Sequence, residues 1–544
     1  MCAEFQDSDQ TMDSQTSFVM PAVPQVIPLP HVFAALGSLL LLYAVNVLVR
    51  AALTRRKLPP GPPGLPVLGN IWDVKGKAWL QYSAWARQYG PIFSLNMAGT
   101  PIIVLNTHKV AANLLDRRST IYSDRTQSVM AGEILTGGVF LVFTPYGELW
   151  RRMRRASHEE FSFTACKKYQ PVQTREAYAL VSDLLADPRD WREHLMRSAA
   201  SSILSALYGW DRLKPDDHLV HRIHEHTGRI ASSVLPGRFM VEYLPFLKHI
   251  PSWTGLVPWK VWGETWHKRD TAMFEEFVDS TTANAQKGDP NAAKSFVAGL
   301  VENQERHGLS KKHMAWLAGN MFGAGAETTA GQLIIFVLAM ILHPEVQARA
   351  QAEIDAVVGR DRAPTFADRD RLPYIRACVR ETLRWRTVGP LGVPRATSQD
   401  DWYEGYYIPK GAVVLENIWA MNSDPNVFPD YNNFRPERFL DESGQNEIAP
   451  PDTHNMGHVT YGFGRRICAG YNFANQSLFI DLACLLWAFN FRKAKDERGQ
   501  EITPDPDDMR DGGLVVTPPT FPCEITPRHP DVASVIERER MHMV

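Results

Sequence analysis

YGFGRRICAG, residues 461–470, places one cysteine, three glycines and two adjacent arginines within ten positions. Each possible use of Cys468 demands different company in the rest of the chain. A packing cysteine asks only for apolar neighbours and is the commonest case. A thiolate asks for nearby cations or a helix N-terminus, both of which lower the thiol from its free value of about 8.5. Arg465, Arg466 and a helix expected from about Gly470 supply both features. Zinc would want a second cysteine or histidine at ligand spacing, and none is near. A nucleophilic cysteine would want a histidine partner that nothing in the sequence designates.

Composition narrows the setting. The six cysteines, Cys2, Cys166, Cys378, Cys468, Cys484 and Cys523, form no CxxC pair, as expected of a reducing compartment. A net charge of −2 and an apolar fraction of 44% describe a globular chain without the global field that nucleic acid or an acidic partner would require. Residues 32–49, VFAALGSLLLLYAVNVLV, carry no charge. With the residues up to 53 they approach the roughly 20 needed to cross a bilayer. Glu4, Asp7, Asp9 and Asp13 precede the run, while Arg50, Arg55, Arg56 and Lys57 follow it. The positive-inside rule therefore expects a signal anchor with the body on the cytosolic side. A cleaved signal peptide would instead carry a basic segment before a shorter run. The expected order is a luminal tail 1–31, a membrane helix 32–53, a basic and proline-rich hinge 54–66, a soluble domain 67–530 and a charged tail 531–544. The hinge contains LPPGPPGLP (58–66), whose prolines stop both helix and strand.

PIFSLN (91–96) and PIIVLN (101–106) around an MAGT turn predict a hairpin. Lys311 to Leu342 predicts a long apolar helix stopped by Pro344. Lys311, Lys312, His313 and Glu327 interrupt its apolar run, so a buried central helix is expected rather than a second membrane span. Gly323 and Gly325 in its middle, beside Glu327, call for a reason, since each glycine costs about 1 kcal/mol relative to alanine. A further helix, roughly Leu372 to Arg386, places Glu381 and Arg384 on one face. YEGYYIPKGAVVLENIW (403–419) reads as strands about a turn, and a last helix starts near Gly470.

A fourth use of Cys468 is as axial ligand of haem iron. It also employs the glycines, which let backbone approach a flat macrocycle, the amides after the cysteine, and arginines able to meet carboxylates. Here the resemblance emerges: YGFGRRICAG resembles the haem-thiolate signature of the cytochrome P450 superfamily. AGAETT (324–329), ETLR (381–384), FRPERF (434–439) and LWRRMRR (149–155) are similar to its other landmarks. The match runs from about Leu58 to Pro530. One position departs from the pattern: Tyr461 stands where the family usually has phenylalanine.

The resemblance implies a mainly α fold with small β-sheets, haem b ligated by Cys468, and a monooxygenase reaction. It implies that Arg466, Trp150, Arg154 and Arg395 hold the haem propionates, and that Thr328 and Glu327 position water and relay protons. Glu381, Arg384 and Arg438 resemble a structural charge triad. The chain has no GxGxxG fingerprint after a strand, so electrons are expected from NADPH through a separate membrane-bound reductase. Arg151, Arg152, Arg155, Lys167 and Lys168, with Arg465, are candidate contacts for it. Phe140, Val142, Phe143, Phe322, Leu391, Val393 and Leu514 match substrate-facing family positions, and the apolar run 235–253 matches a segment over the access channel that dips into the membrane. The overall run is similar to the fungal group that includes O-methylsterigmatocystin oxidoreductase and tryptamine 4-monooxygenase. The resulting expectation is an enzyme of the endoplasmic reticulum membrane that oxidises a terpenoid or polyketide intermediate of secondary metabolism. An indole, aromatic amine or xenobiotic substrate is one alternative; an isomerase or dehydratase acting without O₂ is another.

Overall fold

Ser310 sets the start of the helix around which the protein is built. Its hydroxyl accepts from the His313 amide while the His313 ring caps the Ser310 amide, and the helix runs Lys311–Leu342 before Pro344 opens the next one. The computed structural model describes residue 38 and residues 56–542, except 66, 67, 214–217 and 236. The expected membrane helix 32–53 thus lies outside the described residues but for Ser38. The chain divides into two units at Leu58, and the second, Leu58–Val544, carries every element named below. Among the described residues Lys311–Leu342 is the one helix long and apolar enough to cross a bilayer, yet it lies mostly inside the protein. A helix that is apolar all round is stable only when neighbours cover every face. Helices Trp191–Tyr208, Pro258–Gln286 and Tyr471–Ala488 do so here.

The remaining helices follow local signals. Pro373 opens the helix Pro373–Trp385, whose free amides at Tyr374 and Ile375 donate to the Glu353 carboxylate at 2.9 and 3.0 Å. Such a carboxylate at a helix N-terminus satisfies both the orphan amides and the dipole. The predicted hairpin forms as Ile92–Met97 against Thr100–Leu105, turning through Ala98 and Gly99, both at positive φ. Its second strand pairs in parallel with Val413–Glu416, and the five-stranded sheet continues through Arg395–Ala396 to Asp124–Arg125. Arg125 stands directly opposite Arg395 in the last antiparallel pair.

Two terminal segments make contacts with the body of the domain. The proline-rich residues are bound to the sheet: the Ser94 amide donates to the Pro60 carbonyl at 2.8 Å and its hydroxyl to that of Pro59 at 2.6 Å. A Cβ on Gly61 would lie 1.9 Å from the Ser94 carbonyl oxygen, which explains glycine there. The charged residues read as a tail include a helix, Val532–Met541, that buries Val532, Val535 and Ile536 in the main core.

Candidate active site

Cys468 lies two residues before the Gly470 cap of helix Tyr471–Ala488. The loop before it is held by close backbone approach. Gly464, at φ +57°, would place a Cβ 2.0 Å from the Leu115 carbonyl oxygen, and its amide donates to Asp116 Oδ1 at 2.5 Å. Gly462, at φ +75°, lies against the Glu416 and Arg395 side chains. Both glycines therefore have a reason within the protein itself, and of the three in the loop Gly470 has open space where a Cβ would point.

Among the described cysteines Cys468 alone is exposed, while Cys166, Cys378 and Cys484 are buried. The protein packed around its sulfur raises the thiol above its ordinary value; the Gly470 amide and the charge of Arg154 pull it back. The amide contribution follows the sequence reading, but the cation does not. Arg465 turns away to the Tyr146 hydroxyl and to Thr120 Oγ1. Arg466 donates to the Ser123, Leu141 and Thr144 carbonyls at 2.8, 3.4 and 2.8 Å. A thiol held high by enclosure gives up its proton when a metal cation replaces it.

Four arginines lie within reach of one another's charge beside this loop. Arg466 stacks on Trp150 at 4.3 Å, and burial, then repulsion from Arg395 among its neighbours, lowers it to about 9. Arg125 is also lowered, by burial and then by Arg466 and Arg395. It donates to the Val142, Val393 and Pro394 carbonyls. Arg395 pairs with Glu416 at 3.1 Å, yet its buried Nη1 has no partner. Arg154, half-buried, has no ion pair among the described residues, and burial lowers it as well. Like charges placed opposite on adjacent strands are destabilising, so four guanidiniums with Glu416 and Asp124 as the nearby acids suit a ligand with two carboxylates. Arg125 escaped the sequence reading because its dipeptide carries no motif; only the strand register with Arg395 places it here.

On the long helix, Thr328 Oγ1 donates to the Ala324 carbonyl at 2.6 Å, so these two positions share one face. Glu327 instead lines an apolar pocket of about 350 Å³ with Met196, Ala200, Ile223, Thr227 and Phe322. Burial raises its carboxyl to about 6. Consecutive on the helix, Glu327 and Thr328 thus face different surroundings. The glycines before them also gain a packing reason: a Cβ on Gly325 would meet Ile203 Cγ1 at 2.9 Å, and one on Gly323 would meet Thr227 Oγ1 at 3.1 Å.

Glu381 accepts from Arg384 Nε and Nη2, both at 2.7 Å, and from Arg438 Nε at 3.2 Å, with all three side chains buried. The Tyr461 hydroxyl donates to Asn475 Oδ1 at 3.0 Å, while the Tyr461 carbonyl accepts the Cys468 amide at 2.9 Å. Phe140, Val142, Phe143, Phe322 and Leu514 belong to one apolar cluster, whereas Leu391 packs elsewhere. Of the candidate basic contacts, Arg151 pairs with Glu148 at 2.9 Å and Lys168 with Glu160. Arg152 donates to the Gly308 carbonyl at 2.8 Å.

The family model for cytochrome P450 matches residues 59–523. Cytochrome P450 monooxygenase 58 of Postia placenta is 54% identical over 507 residues, covering 93% of this chain and 95% of that one. A cytochrome P450 monooxygenase of Armillaria gallica is 46% identical over 486 residues, with 89% and 92% covered. The cytochrome P450 monooxygenase iboC of Amanita muscaria is 36% identical over 531 residues, with 89% and 93% covered.

Proposed function

This chain belongs to the cytochrome P450 family and is a cytochrome P450 monooxygenase, and from that premise we propose that it oxidises an apolar terpenoid or polyketide intermediate of secondary metabolism at the endoplasmic reticulum membrane. Members of the family use a haem-thiolate iron and electrons from a redox partner. The group here is haem b, and the donor an NADPH–cytochrome P450 reductase. When bound, the haem supplies oxygen activation: one atom of O₂ enters a substrate C–H bond and the other leaves as water, with two electrons and two protons consumed.

The observation that carries the reading is the exposed Cys468 beside arginines short of carboxylates. Cys468 ligates the metal, with the Gly470 amide donating to its sulfur. Arg466, Arg154, Arg395 and Trp150, together with Arg125, hold the propionates. Glu327, with a carboxyl near 6, stores a proton at the edge of neutrality, where general acids work best. Thr328 holds water on the face it shares with Ala324. Its hydroxyl exchanges the intrahelical bond to the Ala324 carbonyl for that water, because back-bonding of this kind is weak.

Apolar substrates suit the lining. Phe140 and Phe143 stack at 5.2 Å, and the pocket beside Glu327 is almost wholly apolar. Membrane attachment is supported by a second feature besides the run 32–53: Phe246, Trp253 and Leu256 are 64%, 86% and 74% exposed. A concentrated apolar patch of this kind marks an interaction surface.

Membranes containing the enzyme and a reductase, incubated with NADPH and candidate intermediates, should yield products heavier by one oxygen. Product formation independent of NADPH would overturn the reading. Thr328→Ala should go on consuming NADPH while releasing peroxide in place of product.

A further inference from the structure

A second cleft, of about 470 Å³, opens beside the cysteine loop and is lined by Arg369, Arg376, Arg380, Glu447, His458 and Asn475 among others. Its charges do not balance. Arg376 and Arg380 share one Glu447 oxygen, at 3.3 and 3.2 Å. Among the described residues Arg369 forms one ion pair, with the exposed Asp370 at 4.0 Å, and also feels the more distant Glu447. His458, fully enclosed, is held neutral by burial and by Arg380 and Arg384. Burial lowers Arg380, Glu447 pulls it back, and Arg376 and Arg369 lower it again, while Arg376 Nε is buried without a partner. Three guanidiniums facing one carboxylate form a set of forks matched to a bidentate oxyanion.

The cleft also has a route inward. Asn475, which lines it, accepts the Tyr461 hydroxyl, and the Tyr461 carbonyl accepts the Cys468 amide. Two hydrogen bonds therefore join the cleft to the backbone of Cys468. We propose that this cleft binds an oxyanion, phosphate or carboxylate, and that Asn475 and Tyr461 transmit its occupancy to Cys468. The source proposed is a free phosphate compound, and an acidic peptide is the rival that the test separates from it. Binding stands apart from the substrate reading; only the spectral part of the test relies on haem.

Pyrophosphate and an octaglutamate peptide, each titrated calorimetrically into the haem-loaded protein at constant ionic strength, distinguish the two sources. At least one should bind, about tenfold more weakly to Arg369→Gln, the loss of roughly one charge-assisted hydrogen bond. Arg369 has no buried carboxylate partner, so this variant keeps the fold; Arg380→Gln gives a second measurement. Binding of pyrophosphate alone assigns a free ligand, and of the peptide alone a protein partner. No binding by either probe, or affinities unchanged in both variants, overturns the site. Anion addition should also shift the Soret band of the wild type. Tyr461→Phe, which keeps the ring, should bind the anion undiminished and lose that shift. A shift retained in that variant, or absent from the wild type, overturns the coupling.

Discussion

Arg154 is the cation whose charge acts on the Cys468 sulfur, and it has no ion pair among the described residues. The relationship divides its charge between the thiolate and the propionates proposed beside it. Arg154→Leu keeps the bulk of the stem but removes the charge. Loss of a hydrogen bond to a charged group costs about 1.5–3 kcal/mol, so haem should dissociate about tenfold or more faster from this variant. The measurement is haem transfer to an acceptor protein, followed spectroscopically; an unchanged rate would remove Arg154 from the haem site.

Glu381 has no water to fall back on. It is buried with Arg384 and Arg438, and one of its oxygens also accepts the Arg435 amide at 2.8 Å. Breaking such a cluster strands buried charge at a cost of about 3–5 kcal/mol. Glu381→Ala should therefore give little or no haem-loaded protein. A normal haem-to-protein ratio after purification would show that the cluster is dispensable.

Glu327 predicts two pH effects from one cause. Burial raises its folded pKa to about 6, so between about 4.5 and 6 the folded state binds more protons than the unfolded state. Stability from this group is therefore present at low pH and is lost as pH rises through that window. A shift of this size corresponds to on the order of 1–2 kcal/mol. Glu327→Gln should melt higher than the wild type at pH 7.5 and lose that advantage at pH 4.5. Coupled turnover, if the protonated carboxyl is the donor, should fall as pH rises through about 6 in the wild type. The variant should lack that inflection, and a profile it shares with the wild type would exclude the proton-storing role.

The long helix and the hairpin were legible because their signals are local: an apolar run stopped by Pro344 gives one, and Ala98 and Gly99 turn the other. Cys468 was legible through its neighbours in sequence. The arginine cluster was only partly so, since Arg125 meets Arg395 through strand register, which no short window of sequence contains. Arg465 and Arg466 misled for a related reason: adjacency in sequence to Cys468 did not make them adjacent to its sulfur. Tyr461 stood out as a departure, but its hydroxyl's partner, Asn475, lies on the following helix.

Gly325 separates two explanations for glycine beside Glu327. A purely functional glycine would tolerate alanine in stability, and alanine should even add up to about 1 kcal/mol of helix propensity. The structure instead puts Ile203 Cγ1 2.9 Å from where the new Cβ would lie. Overpacking a close-packed helix contact typically costs about 1–3 kcal/mol. Gly325→Ala should thus lower the thermal midpoint, and Ile203→Ala in the same chain should recover much of the loss, a coupling that a double-mutant cycle reads directly. Strict additivity between the two substitutions would mean that packing against Ile203 is not why the position is glycine.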